Sequence, residues 1–346
     1  MKVGPVIRAL EGHAEVELVH TGQHYDQRMS AGFFDELGLP PPDVNLAVGS
    51  GSHAEQTAAV MVAFERYLMS RDQDAIVVVG DVNSTVACAL TAVKLHIPVA
   101  HVEAGLRARD WRMPEEVNRV LTDRISQWLF TTSSDANQNL AAEGVPEPWV
   151  HLVGNVMIDT LLANIDSARH RGSELRNRLG LDGDYGILTL HRPSNVDEAV
   201  AFERLLQAIV AAAGSTPFVF PAHPRTAAQL AELQVVLPDS VRVVEPLGYL
   251  DFLGLMDGAR LVLTDSGGVQ EETSVLGVPC VTLRENTERP VTCTLGTNRL
   301  VGTDPVAVRA GTTDALLAAR APAEIPLWDG HAGPRIAEVL LDDLRS

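Results

Sequence analysis

Short apolar runs, most ended by a polar residue, alternate with amphipathic stretches along nearly the whole chain. This alternation limits the fold more than any other feature. Candidate strands are EVELVH (15–20), AIVVVGD (75–81), PVAHVE (98–103), WLFTTS (128–133) and WVHLVGN (149–155). A second series is YGILTLH (185–191), PFVFPAH (217–223), VRVVEP (241–246), RLVLTDS (260–266) and PCVTLRE (279–285). Between them lie stretches such as AFERLLQAIVAAA (201–213), whose apolar residues recur at helical spacing. Continuous apolar strands separated by helices predict parallel sheets covered on both faces. The two series have similar lengths and flank a polar helical connector near 158–180. The expected architecture is therefore α/β, with two Rossmann-like domains (1–155 and 156–326) and a binding cleft between them. A last segment, 327–346, reads as a helix packing back on the N-terminal domain.

Composition narrows what such a fold does. The 346 residues carry a net charge of −18, which argues against nucleic acid as a partner, since that needs a basic face. It leaves room for a small anion, because screening over about 8 Å lets a local arginine cluster dominate its surroundings. The longest apolar runs are strand-sized, short of the roughly 20 residues of a membrane helix, and MKVGPVIRAL lacks the apolar core of a signal peptide. Cys88, Cys280 and Cys293 are far apart, so neither a disulfide framework nor a metal site is indicated, and a reducing, cytoplasmic setting is expected.

In doubly wound sheets, ligands bind beyond the carboxyl ends of the strands. The unusual polar residues gather there: Asp81, Glu103, His191, His223 and Ser266. In LTDSGGVQEE (263–272), Ser266 stands where a helix cap would, followed by Gly267 and Gly268. Glycine is a poor helix former, so the pair asks for a packing or ligand reason; absent side chains let an anion reach the free N–H groups of a helix start. The competing reading is a tight turn with a serine cap. Glu271 and Glu272, one turn in, either bind ribose hydroxyls or face solvent. LTLHRPSN places His191 and Arg192 at a strand end, FPAHPR repeats the device with His223 and Arg225, and both favour phosphate contact. Arg289, in NTERP, belongs either to a loop over a ligand or to a surface turn.

The densest charge lies in HVEAGLRARDWRMPEEVNRV (101–120), with four carboxylates and four arginines in one strand-to-helix connection. Glu103 ends one strand and Asp81 its neighbour, while Glu115 and Arg119 are spaced i,i+4 on a helical face. Three carboxylates beside arginines suit general acid–base chemistry at a sugar carbon. A surface salt-bridge network accounts for Arg109 and Arg112 but poorly for Glu103. For Asp81 the alternative is turn support beneath a helix capped by Asn83 or Ser84.

TGQHYD (21–26), GDVNST (80–85), HVEAGLR (101–107), MPEEVNR (113–119), TLHRPSNVD (189–197), PAHPRT (221–226), EPLGYLDF (245–252), TDSGGVQEE (264–272) and ENTERP (285–290) occur in order through essentially the whole chain. Together they resemble the non-hydrolysing UDP-N-acetylglucosamine 2-epimerases. The resemblance implies two Rossmann-like domains of the glycosyltransferase-B type, no metal or other cofactor, and a cytoplasmic homodimer. It implies interconversion of UDP-N-acetylglucosamine and UDP-N-acetylmannosamine, by elimination and re-addition of UDP, for surface polysaccharide synthesis. Asp81, Glu103 and Glu115 are the implied acid–base groups, with Arg119 and His191 beside them. Lys2, His223, Phe252, Ser266, Gly267, Gly268, Glu272 and Arg289 are the implied substrate contacts: the diphosphate at 266–268, ribose at Glu272 and uracil near Phe252. Gln23 and His24 match a loop that helps bind a second UDP-N-acetylglucosamine as activator in bacterial members. The family also has a first strand and a Gly-x-Arg-Pro loop before the segment that here starts at Lys2; both are missing here, so either they lie upstream of Met1, the favoured reading, or the central strand is lost and the site impaired. Two other functions fit the residues: a glycosyltransferase of the same fold, which would not need the three carboxylates together, and an inactive UDP-sugar-binding protein.

Overall fold

The computed structural model describes residues 1–22, 34, 36–234 and 237–345. The chain divides into two compact units, Met1–Thr160 with Pro326–Ser346, and Leu161–Ile325.

The first unit holds β1 (Val19–His20), β2 (Val44–Asn45), β3 (Ile76–Val79), β4 (Val99–Ala104), β5 (Trp128–Thr131) and β6 (Val150–Leu152). β3, β4, β5 and β6 form one parallel sheet in that order, and β1 pairs with β2 in a separate two-stranded sheet. Among the described residues no strand pairs with β3 on the side away from β4. All four residues of β5 and all six of β4 are buried, because helices cover both faces. One layer is the C-terminal helix Ala332–Arg345: Ala332, Ile336, Ala337 and Leu340 pack with Val6, Leu10, Ala100, Val102 and Phe130. Each such large apolar side chain contributes about 1.5–3 kcal/mol when fully buried. The start of that helix is held by Asp159, whose carboxylate accepts from Ala332 N at 3.1 Å and Gly333 N at 2.7 Å. A Cβ on Gly333 would meet the Pro5 carbonyl oxygen at 2.6 Å, so glycine there lets the two terminal helices touch.

The second unit holds β7 (Gly186–Thr189), β8 (Phe218–Pro221), β9 (Val241–Val244), β10 (Leu261–Thr264), β11 (Cys280–Thr282) and β12 (Asn298–Leu300). They form one parallel sheet in the order β12-β11-β10-β7-β8-β9. Relative to chain order this is the doubly wound 3-2-1-4-5-6 arrangement, with its switch point between β7 and β10. Phe202, Leu205, Leu206 and Ile209 of the helix Ala199–Ala213 fill the core against Phe218 and Phe220.

All ten expected strands are present as parts of the segments read from the sequence. Two more, β2 and β12, lack an apolar run: one is Val-Asn behind three prolines, the other Asn-Arg-Leu at a sheet edge. The expected connector helix spans Val156–Leu179, and the division between the units falls within it.

Candidate functional site

In the first unit, β3 and β4 pair with Val79 opposite Val102, which sets Asp81 two residues past the end of β3 and Glu103 in the neighbouring strand, one residue before the end of β4. The β4–β5 register shifts between Val102 and Ala104, and Glu103 between them adopts φ +70°. A non-glycine residue in that region costs on the order of 1–3 kcal/mol. Glu103 is buried; its Oε2 lies 2.5 Å from Lys2 Nζ, and its Oε1, also buried, has no hydrogen-bond partner among the described residues. Lys2 thus meets a proposed acid–base residue from 101 positions away. Gly80, at φ +75°, lies over the pair: a Cβ there would be 3.4 Å from Lys2 Nζ and 3.7 Å from Glu103 Oε2.

Asp81 Oδ2 pairs with Arg119 Nη2 at 2.5 Å. Arg119 also bonds Glu116, three residues back on the helix Pro114–Ile125. Glu116, the neighbour of the Glu115 singled out by the i,i+4 spacing, is a buried carboxylate, and it also accepts from Ala108 N at 2.9 Å and Arg109 N at 2.8 Å. Glu115 is half-buried in the first turn of that helix. Neither Asn83 nor Ser84 caps the following helix, Asn83–Lys94; its N-cap position is Val82, and Asn83 Nδ2 instead donates to Gln56 Oε1 at 2.8 Å. Arg112 is exposed and pairs with Asp110 at 2.8 Å, as a surface network would have it. Arg107, by contrast, is buried between Asp123 and Glu143.

In the second unit the switch point is built around Asp265, which the sequence reading did not single out. This buried carboxylate directly follows β10 and accepts from His191 N, from Arg192 N at 3.0 Å and from Asn195 Nδ2 at 3.1 Å. His191 Nδ1 lies 2.8 Å from Asp265 Oδ1, which leaves Nε2 of this half-exposed ring for a further partner. Burial alone would raise the Asp265 carboxyl, but the His191 hydrogen bond and charge, with the backbone N–H groups, hold it below the usual range. Its place directly before Ser266, at a strand end, was the signal available in the sequence.

Ser266 occupies the N-cap position of the helix Gly267–Leu276 but makes no side-chain capping bond, so the serine-cap reading fails. Gly267 has a packing reason to be glycine: a Cβ would press on Arg289 Nη1 and come within 2.7 Å of Glu288 Oε1. Gly268 follows, half-buried, in the same turn. Arg289 is buried rather than on a surface turn, pairing with Glu271 at 2.8 Å and with Glu288, which also binds Arg284 at 2.7 Å. Glu271 and Glu272 are both buried, which removes the solvent-facing alternative. Glu272 accepts from Tyr249 Oη at 3.0 Å, and burial pushes its carboxyl up to about 8. Phe252 is half-buried on the helix Tyr249–Asp257, one turn beyond Tyr249. His223, exposed and two residues past β8, caps the helix Pro224–Glu232 by accepting from Arg225 N at 3.4 Å, while Arg225 pairs with Asp197 on the surface. Gln23 and His24 lie outside the described residues.

The structure therefore groups Lys2, Asp81, Glu103 and Arg119 at the strand ends of one unit. In the other it groups His191, Ser266, Gly267, Gly268 and Arg289 around the switch point, with Glu272 and Tyr249 linked behind. Among the described residues no set of three or more His, Cys, Asp or Glu side chains is placed to hold a metal ion, and no helix is long and apolar enough to cross a membrane.

Comparison with known proteins identifies the family. The chain is 42% identical to the UDP-N-acetylglucosamine 2-epimerase of Methanocaldococcus jannaschii, over 98% of this chain and 95% of that protein. The crystal structure of that enzyme in complex with UDP-GlcNAc and UDP superimposes with a TM-score of 0.91 over 98% of this chain and 95% of that one. The UDP-2,3-diacetamido-2,3-dideoxy-D-glucuronate 2-epimerase of Pseudomonas aeruginosa is 41% identical over 82% of this chain and 79% of its own length. A family model described as UDP-N-acetylglucosamine 2-epimerase matches residues 8–341. With parallel α/β sheets in both units and this match across nearly its whole length, the chain belongs to the UDP-N-acetylglucosamine 2-epimerase family of isomerases.

Proposed function

We propose that this chain inverts C2 of UDP-N-acetylglucosamine to give UDP-N-acetylmannosamine, reversibly, through elimination and re-addition of UDP. The observation that carries the reading is Glu103: a buried carboxylate, in a strained backbone conformation, with one oxygen unpartnered among the described residues. Such a group costs stability that its ion pair with Lys2 only partly offsets, and an acid–base role gives it a reason to be there.

In the forward reaction a carboxylate of the first unit takes the proton from C2. The C–H electron pair becomes the C1–C2 double bond, the C1–O bond breaks, and UDP leaves as the anion. The 2-acetamidoglucal then receives a proton on the other face of C2 as UDP oxygen rejoins C1. Asp81, Glu103 and Glu115 share these proton transfers, with Arg119 fixing Asp81. The detached UDP has to be held between the two steps, so diphosphate binding serves the chemistry itself. That task falls to the uncapped helix start at Ser266, Gly267 and Gly268, with His191 and Arg289 beside it. Glu272, Phe252, His223 and Lys2 complete the substrate contacts. On the same reading the enzyme is a cytoplasmic homodimer serving surface polysaccharide synthesis, with Gln23 and His24 at an activator site.

The Pseudomonas aeruginosa relative, 41% identical, favours a second substrate, the diacetamido glucuronate sugar nucleotide. Incubating the chain in D2O with each UDP-sugar alone, followed by proton NMR, separates the readings. Epimer carrying deuterium at C2 from UDP-N-acetylglucosamine is the expected result. Turnover of the glucuronate compound alone would move the assignment to that sugar, and no epimer from either would end the epimerase reading.

A further inference from the structure

The connection 101–120 holds a chain of buried contacts that the acid–base reading does not use. His101, fully buried on β4, lies two residues before Glu103. Its Nδ1 is 2.6 Å from Asp123 Oδ1, and its Nε2 is 2.8 Å from the Gly80 carbonyl oxygen. Asp123, buried on the helix Pro114–Ile125, also accepts from Gly105 N at 3.0 Å and pairs with Arg107 at 2.7 Å. Arg107 continues to Glu143 through two bonds.

Three of these links land on an element that carries a proposed acid–base group, whereas Glu143 lies at an exposed helix end. Gly80 precedes Asp81, Gly105 follows Glu103 by two residues, and Asp123 shares a helix with Glu115 and Arg119. Gly80 and Gly105 take φ +75° and +78°, conformations that glycine enters at little cost and also leaves easily. A buried charged chain is a poor means of gaining stability, since apolar residues of the same volume often serve as well or better. What it supplies is a fixed geometry.

We propose that His101 is the positioning residue of the acid–base groups, its bond to the Gly80 carbonyl holding Asp81 in register with Glu103 while Asp123 holds the ring. This rests on the epimerase reading. Misplacing a reacting group by about 1 Å costs on the order of 10²-fold in rate.

Two conservative variants divide the bonds of the ring. Asparagine places its amide nitrogen near the position of Nδ1, so His101→Asn keeps Asp123 and loses Gly80. Glutamine reaches the position of Nε2, so His101→Gln keeps Gly80 and loses Asp123. For the full chain and both variants, kcat, KM for UDP-N-acetylglucosamine, UDP affinity and the urea midpoint are measured. In His101→Asn, kcat is expected to fall about 10²-fold, with KM and UDP affinity little changed. His101→Gln is expected to recover about tenfold of that loss, a tenth being the share of roughly 1.4 kcal/mol. Equal kcat in the two variants, or kcat falling in step with the midpoint, would mean that the network is structural only and would overturn the proposal. Should His101→Asn fail to fold, Asp123→Asn replaces it, with a smaller fall in kcat at constant KM expected and an unchanged kcat overturning the idea. An unaltered chain that makes no epimer overturns the epimerase reading and this proposal with it; an active one with equal variants overturns this proposal alone.

Discussion

Replacing Glu272 by glutamine tests whether the second unit stores a buried proton. The carboxyl moves from 4.5 to about 8, chiefly through burial, with Glu271 adding and the Tyr249 hydrogen bond opposing. The folded chain therefore keeps a proton that the unfolded chain releases above about 4.3. This contribution to stability is fully present below that pH and is lost as the pH rises to about 8. The slope is about 1.4 kcal/mol per pH unit, and the whole effect is on the order of 5 kcal/mol. Glutamine still accepts from Tyr249 but does not titrate. All four tryptophans lie in the first unit, so their fluorescence follows that unit, and far-UV circular dichroism in urea is the better probe of the second. From pH 5 to pH 8 the stability difference between the chains should shift towards Glu272→Gln by about 4 kcal/mol. Parallel pH curves for the two would refute the buried-proton argument.

Glu103→Gln and Asp81→Asn should each lower epimerisation by roughly 10²–10⁴-fold while calorimetric titration with UDP stays unchanged, and near-normal turnover in both would remove them from the chemistry. Gly268→Val should weaken UDP binding with circular dichroism unaltered, because a branched Cβ blocks phosphate from the helix start; equal affinity would leave the glycines to packing alone. Asp265→Asn should cost about 1.5–3 kcal/mol for each hydrogen bond to charge that it loses. It should also lower kcat by freeing the His191 ring, and an unchanged kcat at reduced stability would confine Asp265 to the fold.

The sheets were legible because each core strand is an apolar run with a polar stop: AIVVVGD for β3 and RLVLTDS for β10 differ in sequence but share that form. β2 and β12 were not, since edge strands bury too little to need such a run. In the site, glycines and strand-end charges could be read as unusual, but their partners could not. Glu115 and Glu116 have the same side chain, and only the turn of Ala108 and Arg109 onto one of them decides which is buried. Gly267 illustrates the same limit: its lack of a side chain is plain in sequence, whereas the Arg289–Glu288 pair resting on it comes from a loop 21 residues later. Asp265 went unremarked because its four donors come from a segment some 70 residues earlier.

The way the chain is threaded also sets the order in which the molecule is completed on the ribosome. Every strand of the second unit comes from one uninterrupted stretch and has been synthesised by Ile325. The first unit begins at Met1 yet still lacks Ala332, Ile336, Ala337 and Leu340, which cover Val6, Val102 and Phe130. Domains usually close in the order they are made. Here the part started first is the part finished last, and its core cluster lacks four of its buried side chains until the helix Ala332–Arg345 leaves the exit tunnel.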